Sequence, residues 1–151
     1  MARQPVVIPL RQRALRLLAA REHSRIELSR KLAPHAETAE ELAALLDDLE
    51  QRQQLSNARF AEARSNLMSR KFGSARIAYD LRSKGVSEDE AAEAIASARG
   101  SDLERARDVW RRKFRNPPAT KEERAKHMRF LQSRGFSFEV IRAVMAGDED
   151  E

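Results

Sequence analysis

The feature that most restricts the fold of this chain is an internal repeat of about 50 residues. Residues 77–87 and 127–137 share, in register, a leucine, a serine, a basic residue, a glycine, an apolar residue and a second serine. A weaker copy covers residues 24–32. Periods of this length are typical of arrays of one supersecondary unit. The sequence therefore predicts three copies of one unit.

The composition indicates that these units are helical. Charged residues make up 35% of the chain, and there are only 5 glycines and 5 prolines. Leucine, arginine and glutamate lose little rotamer freedom in a helix, whereas an all-β chain needs many turn residues. We therefore expect an all-α protein of tandem three-helix repeats, with about nine helices.

Helix ends are predicted from capping residues. At four predicted helix starts a Ser or Thr is followed three positions later by glutamate, which is the capping-box spacing: Ser24, Thr38, Ser87 and Thr120. Gly73 and Gly85 are expected to close helices in the left-handed conformation. The predicted helices are 10–21, 24–33, 38–54, 57–71, 74–84, 87–98, 101–114, 120–134 and 137–146.

These helices give three repeats between two terminal segments. The predicted organisation is an N-terminal arm (1–9), repeats at 10–55, 56–99 and 100–147, and an acidic tail (148–151). We expect the arm to be extended or disordered, or to pack residues 6–8 against the first helix. The tail is expected to be disordered because its like charges repel.

The sequence lacks the residue patterns of an active site. His23, His35 and His127 lie in different repeats without an acidic or histidine neighbour at ligand spacing, and the chain has no cysteine. It also lacks a glycine-rich phosphate loop and a nucleophile elbow. We therefore expect a protein that is not an enzyme and binds no metal or cofactor. Without a signal-peptide core or an apolar stretch of about 20 residues, we expect a cytoplasmic protein that does not contact membranes.

Basic residues are the strongest functional signal. Residues 100–147 contain 12 basic and 6 acidic side chains. Such clusters favour contact with phosphates or with an acidic protein groove. The candidate partner-binding residues are Arg111, Arg112, Lys113, Arg115, Lys121, Arg124, Lys126, Arg129 and Arg134, with a sparser set at Arg70, Lys71, Arg76, Arg82 and Lys84. Helical spacing allows either Lys121, Arg124 and His127, or Lys121 and Arg129, to share one face.

Most aromatic residues recur at matching places in the repeats, which predicts core positions. Phe60 and Trp110 occupy equivalent first helices, and Phe136 matches the apolar Val86. Only two aromatic residues are expected to be exposed: Tyr79 and Phe138.

Three ordered blocks of sequence resemble the RecX family of regulatory proteins. Residues 59–64 (Arg-Phe-Ala-Glu-Ala-Arg), then Gly73, and residues 81–86 (Leu-Arg-Ser-Lys-Gly-Val) are similar to that family's central signature. Residues 18–32 resemble its first repeat and residues 124–136 its last, so the resemblance covers about 10–146. Ser74 departs from the pattern, because many relatives have a proline after the glycine.

The resemblance implies a modulator of the RecA recombinase built from tandem three-helix repeats in an elongated, curved array, either right- or left-handed. RecX proteins bind in the groove of the RecA nucleoprotein filament and inhibit ATP hydrolysis, strand exchange and coprotease activity, so they modulate homologous recombination and the SOS response. Weak binding to single- or double-stranded DNA is associated with some members. The resemblance assigns no contact residues here, so the basic candidates rest on charge and spacing alone.

Two other classes of function remain open from the sequence. A three-helix unit resembles a helix-turn-helix domain in outline, so the chain could be a DNA-binding module. Its candidate helices offer mainly arginine and lysine, which would contact the backbone without reading sequence. A structural adaptor with an unrelated partner is the third class. In each case we expect a monomer.

Overall fold

The computed structural model describes residues 7–147, and this part of the chain forms eight α-helices, one short 3-10 turn (Ala33–His35) and no strand. The all-α prediction is confirmed. Most of the predicted arm and all of the acidic tail lie outside the described residues, and Val7 is exposed rather than packed on the first helix. The helices are α1 (Leu10–Ala20), α2 (Arg25–Leu32), α3 (Ala39–Gln51), α4 (Asn57–Met68), α5 (Ser74–Ser83), α6 (Glu88–Lys113), α7 (Lys121–Ser133) and α8 (Phe138–Gly147).

The described part of the chain has eight α-helices where about nine were predicted, because two of the predicted helices are one. Helix α6 runs without a break for 26 residues, through Gly100. A glycine in a helix costs only about 1 kcal/mol relative to alanine, and α6 contains no proline. A buried stripe at i, i+4 spacing continues past the glycine, at Ala94, Ala98, Asp102 and Ala106. The proposed boundary between the second and third repeats therefore lies inside α6.

The predicted N-caps form as expected. In each, the side-chain oxygen accepts a hydrogen bond, 3.0–3.1 Å long, from the backbone N–H of the glutamate three residues later. These caps are Ser24, Thr38, Ser87 and Thr120. Ser56 caps α4 in the same way, although the residue three positions later is Arg59 rather than a glutamate.

The helices form three hydrophobic clusters, and the two halves of α6 contribute to different ones. The first is built around Leu28 and Leu49, the second around Ile77 and Leu81, and the third around Leu131. The aromatic predictions hold, because Phe60, Trp110 and Phe136 are buried, whereas Tyr79 is 70% exposed and Phe138 63% exposed. We refer to α1–α3 as the first repeat, to α4, α5 and the first half of α6 as the second, and to the rest as the third.

Glycines allow each repeat to pack closely against the preceding one. A Cβ atom added to Gly85 would lie 2.1 Å from Ile26 Cδ1 in the first repeat, and one added to Gly135 would lie 2.4 Å from Arg76 Cβ in the second. Both glycines have positive φ angles, 79° and 90°. The two contacts are equivalent, since Ile26 and Arg76 lie one repeat apart, as do the glycines.

Gly73 does not close a helix, contrary to the prediction. Its φ angle is −83°, and it is the N-cap of α5. Its N–H donates to the carbonyl of Arg134 at 2.7 Å, and a Cβ atom there would lie 2.4 Å from the Gly135 carbonyl oxygen. The glycine is thus required by the close approach of the third repeat.

A second contact is also repeated at both junctions. Asn57, at the start of α4, accepts a hydrogen bond from the backbone N–H of Arg25 at 2.8 Å. Asp102, in the second half of α6, accepts one from the N–H of Ser74 at 3.0 Å. In each case a side chain of the following repeat binds the first residue of the preceding repeat's middle helix.

Two histidines are buried in the neutral form. The Nδ1–H of His23 donates to the Arg21 carbonyl at 3.0 Å, and the ammonium of Lys31 donates to its Nε2 at 3.0 Å. His127 Nδ1 accepts from the indole N–H of Trp110 at 3.0 Å. Burial lowers the pKa of both rings, because the charged form is poorly solvated there.

We expect the free energy of unfolding to fall as the pH drops below about 6.5, the ordinary histidine pKa. The folded pKa values of His23 and His127 lie below it, so in that range the unfolded chain binds more protons. The two histidines therefore make their full contribution to the free energy of unfolding above that pH, and this contribution is lost as the pH falls through 6.5, the ordinary histidine value, toward their lower folded pKa values. Melting temperatures measured between pH 8 and pH 5 test this.

The His127→Gln variant should show a smaller loss, because glutamine can accept the Trp110 hydrogen bond without titrating. His35→Gln is the matched control, since His35 is exposed. A His127→Gln profile as steep as that of the wild type would contradict the assignment.

Candidate partner-binding surface

Six of the predicted basic residues meet where the second and third repeats join. Five of them line an open groove of about 240 Å³ together with Val109 and Phe130, and Arg76 lies beside it. We call this the basic groove. Its basic residues are Arg70, Lys71, Arg76, Arg112, Lys113 and Arg134.

Contacts between the two repeats hold these side chains in place. Arg112, near the end of α6, donates from Nη2 to the carbonyl of Arg70 at 2.9 Å. Arg76, on α5, donates from Nη1 to the carbonyl of Ser133 at 3.0 Å. Both arginines keep donors free for a ligand, since a guanidinium has five N–H groups.

Two phenylalanine rings support the cations. The guanidinium of Arg76 lies 4.4 Å from the centroid of the Phe72 ring, and that of Arg134 lies 5.1 Å from the Phe130 ring. Lys113 Nζ lies 5.7 Å from the Phe130 centroid. These cation–π contacts orient the charged groups without neutralising them.

The basic groove has no compensating charge among the described residues that line it, because none of them carries a carboxylate. Such a groove attracts phosphates or carboxylates, and arginine can bind either with two parallel hydrogen bonds. Its chemistry therefore fits an anionic ligand, either the backbone of a nucleic acid or an acidic protein surface.

A buried polar network that the sequence reasoning missed lies behind this groove. Arg105, on α6, donates from Nη1 to the carbonyls of Ser69 and Phe72 at 2.9 and 2.5 Å. Its Nη2 donates to Asp102 Oδ1 at 2.6 Å, and the Asp102 carboxylate also accepts from the N–H and hydroxyl of Ser74. The network therefore fixes the 69–73 segment, which carries two of the basic residues.

The positive charge of Arg105 is partly desolvated and is compensated by Asp102. Burial lowers the pKa of the Arg105 guanidinium, and the Asp102 carboxylate opposes that shift. A sequence signal for this network exists, since Asp102 is a charged residue on the otherwise apolar i, i+4 stripe of α6.

The other basic candidates do not join the groove. Lys84 pairs with Asp80 at 3.4 Å, and Arg124 is half-buried. The remaining members are exposed and do not line the groove: Arg82, Arg111, Arg115, Lys121, Lys126 and Arg129.

His127 does not share an exposed basic face with Lys121 and Arg124. His127 is buried and stacks on Phe114 with ring centroids 3.7 Å apart. The face of α7 turned away from the core instead carries Lys126 and Arg129, three positions apart and both exposed.

Among residues 7–147, no group of three or more His, Asp or Glu side chains is arranged to hold a metal ion. No helix in this range combines the length and apolar character needed to span a bilayer.

Comparison with known proteins gives the family. The family model described as the second three-helix domain of RecX matches residues 56–95, and that of the third three-helix domain matches residues 101–145. The regulatory protein RecX of Leptothrix cholodnii is 50% identical over 138 residues, which cover 91% of this chain and 88% of that protein. The chain belongs to the RecX family. The RecX protein of Ralstonia nicotianae is 46% identical over 145 residues, covering 96% and 90%.

Solved RecX structures have the same fold. The crystal structure of RecX from Lactobacillus salivarius superposes with a TM-score of 0.80 at 18% identity, covering 94% of this chain and 96% of that one. A second RecX crystal structure gives a TM-score of 0.78 at 22% identity, covering 94% and 72%. The fold of this chain is thus shared by RecX proteins of distant sequence.

Proposed function

We propose that this RecX protein binds the RecA nucleoprotein filament and inhibits its ATP hydrolysis, strand exchange and coprotease activity. In this role it modulates homologous recombination and the SOS response. Membership of the RecX family supports the choice of partner, because the curated relatives are named regulatory proteins. The protein acts in the cytoplasm as a monomer, without a cofactor and without catalysis of its own.

The observation that carries the proposal is the basic groove. It collects cations from two repeats around two aromatic rings, with no carboxylate among its described lining residues. A RecA filament presents both protein carboxylates and DNA phosphates, so an uncompensated basic groove fits such a target. The division into repeats at 10–55, 56–99 and 100–147 is part of the same proposal, because the groove requires two neighbouring repeats.

Reversing two charges in the groove is expected to weaken inhibition. The double variant Lys71→Glu with Lys113→Glu should need about tenfold more protein for half-inhibition of RecA's DNA-dependent ATPase, which corresponds to roughly 1.4 kcal/mol. Both side chains are exposed, so the stability should change by no more than about 1 kcal/mol. Titration of RecA ATPase on single-stranded DNA measures the effect.

The matched control is Lys121→Glu with Lys126→Glu, which changes the net charge equally on an exposed part of α7 outside the groove. We expect this control to inhibit almost as well as the wild type. Equal loss in both double variants would show that net charge matters and that the groove does not.

A DNA-binding module remains the second candidate, because arginine, lysine and phenylalanine together also suit single-stranded nucleic acid. This alternative predicts tight binding to naked DNA that weakens steeply with salt. Binding to oligo(dT) measured in the ATPase buffer separates the two functions. Inhibition at protein concentrations that leave naked DNA unbound supports the filament-directed proposal.

A further inference from the structure

The junction between the first and second repeats contains a groove equivalent to the basic groove. It has a volume of about 290 Å³ and is lined by charged residues around Phe60, Ala63 and Leu67. Arg21 and Lys84 line it, and each lies one repeat before a residue of the basic groove, Lys71 and Arg134 respectively. We call this the Leu67 groove.

The charges of the Leu67 groove are neutralised within the chain. Arg21 pairs with Glu27 at 2.7 Å, and this hydrogen bond lowers the pKa of Glu27. The other charged lining residues are also paired: Glu22 with Arg59 at 3.0 Å, and Arg64 and Lys84 with Asp80 at 2.9 and 3.4 Å. A phosphate chain therefore gains little from this groove, in contrast to the basic groove.

The Leu67 groove offers an apolar contact instead. Leu67 is 59% exposed, although its helix, α4, packs against both α5 and α6. The exposed Ala63 precedes it by one helical turn. An exposed leucine alone carries no information, but this one lies in a groove whose floor is Phe60. A few anchor side chains that fill well-packed, desolvated pockets contribute most of the binding energy at protein interfaces.

The two grooves meet the chain at neighbouring positions. Helix α4 ends at Met68, and the turn that follows folds back on it through hydrogen bonds from the N–H groups of Lys71 and Phe72 to the Met68 carbonyl, so Arg70 and Lys71 lie three and four positions after Leu67. Side chains at that spacing lie about 5–6 Å apart where a turn is helical. One partner segment can therefore contact Leu67 and the cations of the basic groove together.

We infer that the Leu67 groove and the basic groove form one docking surface for a protein segment that carries an apolar side chain followed, about one helical turn away, by carboxylates. This inference rests on the proposed function and names the chemistry of the partner's contact. Charge complementarity places the carboxylates in the basic groove, while the paired charges around Leu67 favour an apolar side chain there. The surface thus selects a protein over bare DNA.

A single introduced cysteine tests the inference directly, because the chain has no other. The Leu67→Cys variant is labelled with bimane and mixed with RecA filaments assembled on oligo(dT) with ATPγS, or with oligo(dT) alone. We expect a blue shift of the emission with filaments only, since burial against protein removes water from the label. Phe138→Cys, at a residue of similar exposure on α8 (63%), is the matched control and should not shift.

Function is measured on unlabelled variants. Leu67→Ser should raise the concentration for half-inhibition of the RecA ATPase about tenfold. Its melting temperature and oligo(dT) affinity should be unchanged. Leu67→Met, which keeps an apolar side chain, should inhibit as well as the wild type. If the wild type inhibits but Leu67→Ser inhibits equally and no shift occurs, the inference is overturned and the proposed function stands. A shift with oligo(dT) alone also overturns it, in favour of a nucleic acid. A wild type that binds no filaments overturns the proposed function itself.

Discussion

Leu131→Ala is expected to lower the free energy of unfolding by about 2–5 kcal/mol. Leu131 is fully buried in the hydrophobic cluster of the third repeat. Truncation removes the transfer free energy of three carbon atoms and leaves a cavity that the surrounding helices fill only in part. Urea denaturation followed by circular dichroism measures the loss, which is a large share of a typical domain's 5–15 kcal/mol.

We expect the same loss of unfolding free energy for Leu81→Ala, because Leu81 occupies the equivalent position in the second repeat and is 1% exposed. Leu67→Ala is the matched control, since the same atoms are removed from an exposed leucine, and its effect should stay within about 0.5 kcal/mol. Wild-type stability for Leu131→Ala would show that the third cluster is not a packed core.

Local features of the fold could be predicted from the sequence because local interactions determine them. Ser24 and Ser87 cap helices through hydrogen bonds to residues only three positions away. The burial of Leu81 and Leu131 follows from a register that two copies of the repeat share. In both cases the information lies within a few residues of sequence, or in its repetition.

Features that depend on contacts between repeats could not be predicted in this way. Gly73 looks like a helix-closing glycine, but the third repeat approaches it too closely for a side chain. Gly100 looks like a break, but the buried stripe on both sides packs as one face. Tertiary packing decided both positions against the local signal.

The candidate site shows the same division. Charge counting identified the cations of the basic groove, because clusters of arginine and lysine can be read directly from the sequence. It did not show that Lys71 and Arg112 meet, since they come from different repeats. It also could not reveal that the charges around Leu67 are paired, as ion pairs such as Arg64–Asp80 join separate helices.

The buried network behind the groove leads to the prediction with the largest effect. Asp102→Ala is expected to destabilise the protein by about 3–5 kcal/mol, which is typical when one member of a buried ion pair is removed. Asp102 is 5% exposed, and its loss leaves the charge of Arg105 without a counter-ion and the N–H of Ser74 without an acceptor. Thermal and urea unfolding, compared with the wild type, measure the change.

Asp108→Ala is the matched control, because it removes an exposed carboxylate from the same helix and should change stability by no more than about 0.5 kcal/mol. Asp102→Asn separates charge from hydrogen bonding, since the amide oxygen can still accept from Ser74. We expect it to fall between the alanine variant and the wild type. The 69–73 segment depends on Arg105 for its position, so at temperatures where Asp102→Asn is folded its inhibition of RecA should still weaken. Full inhibition by a destabilised Asp102→Asn would show that the network supports the fold and leaves the basic groove unaffected.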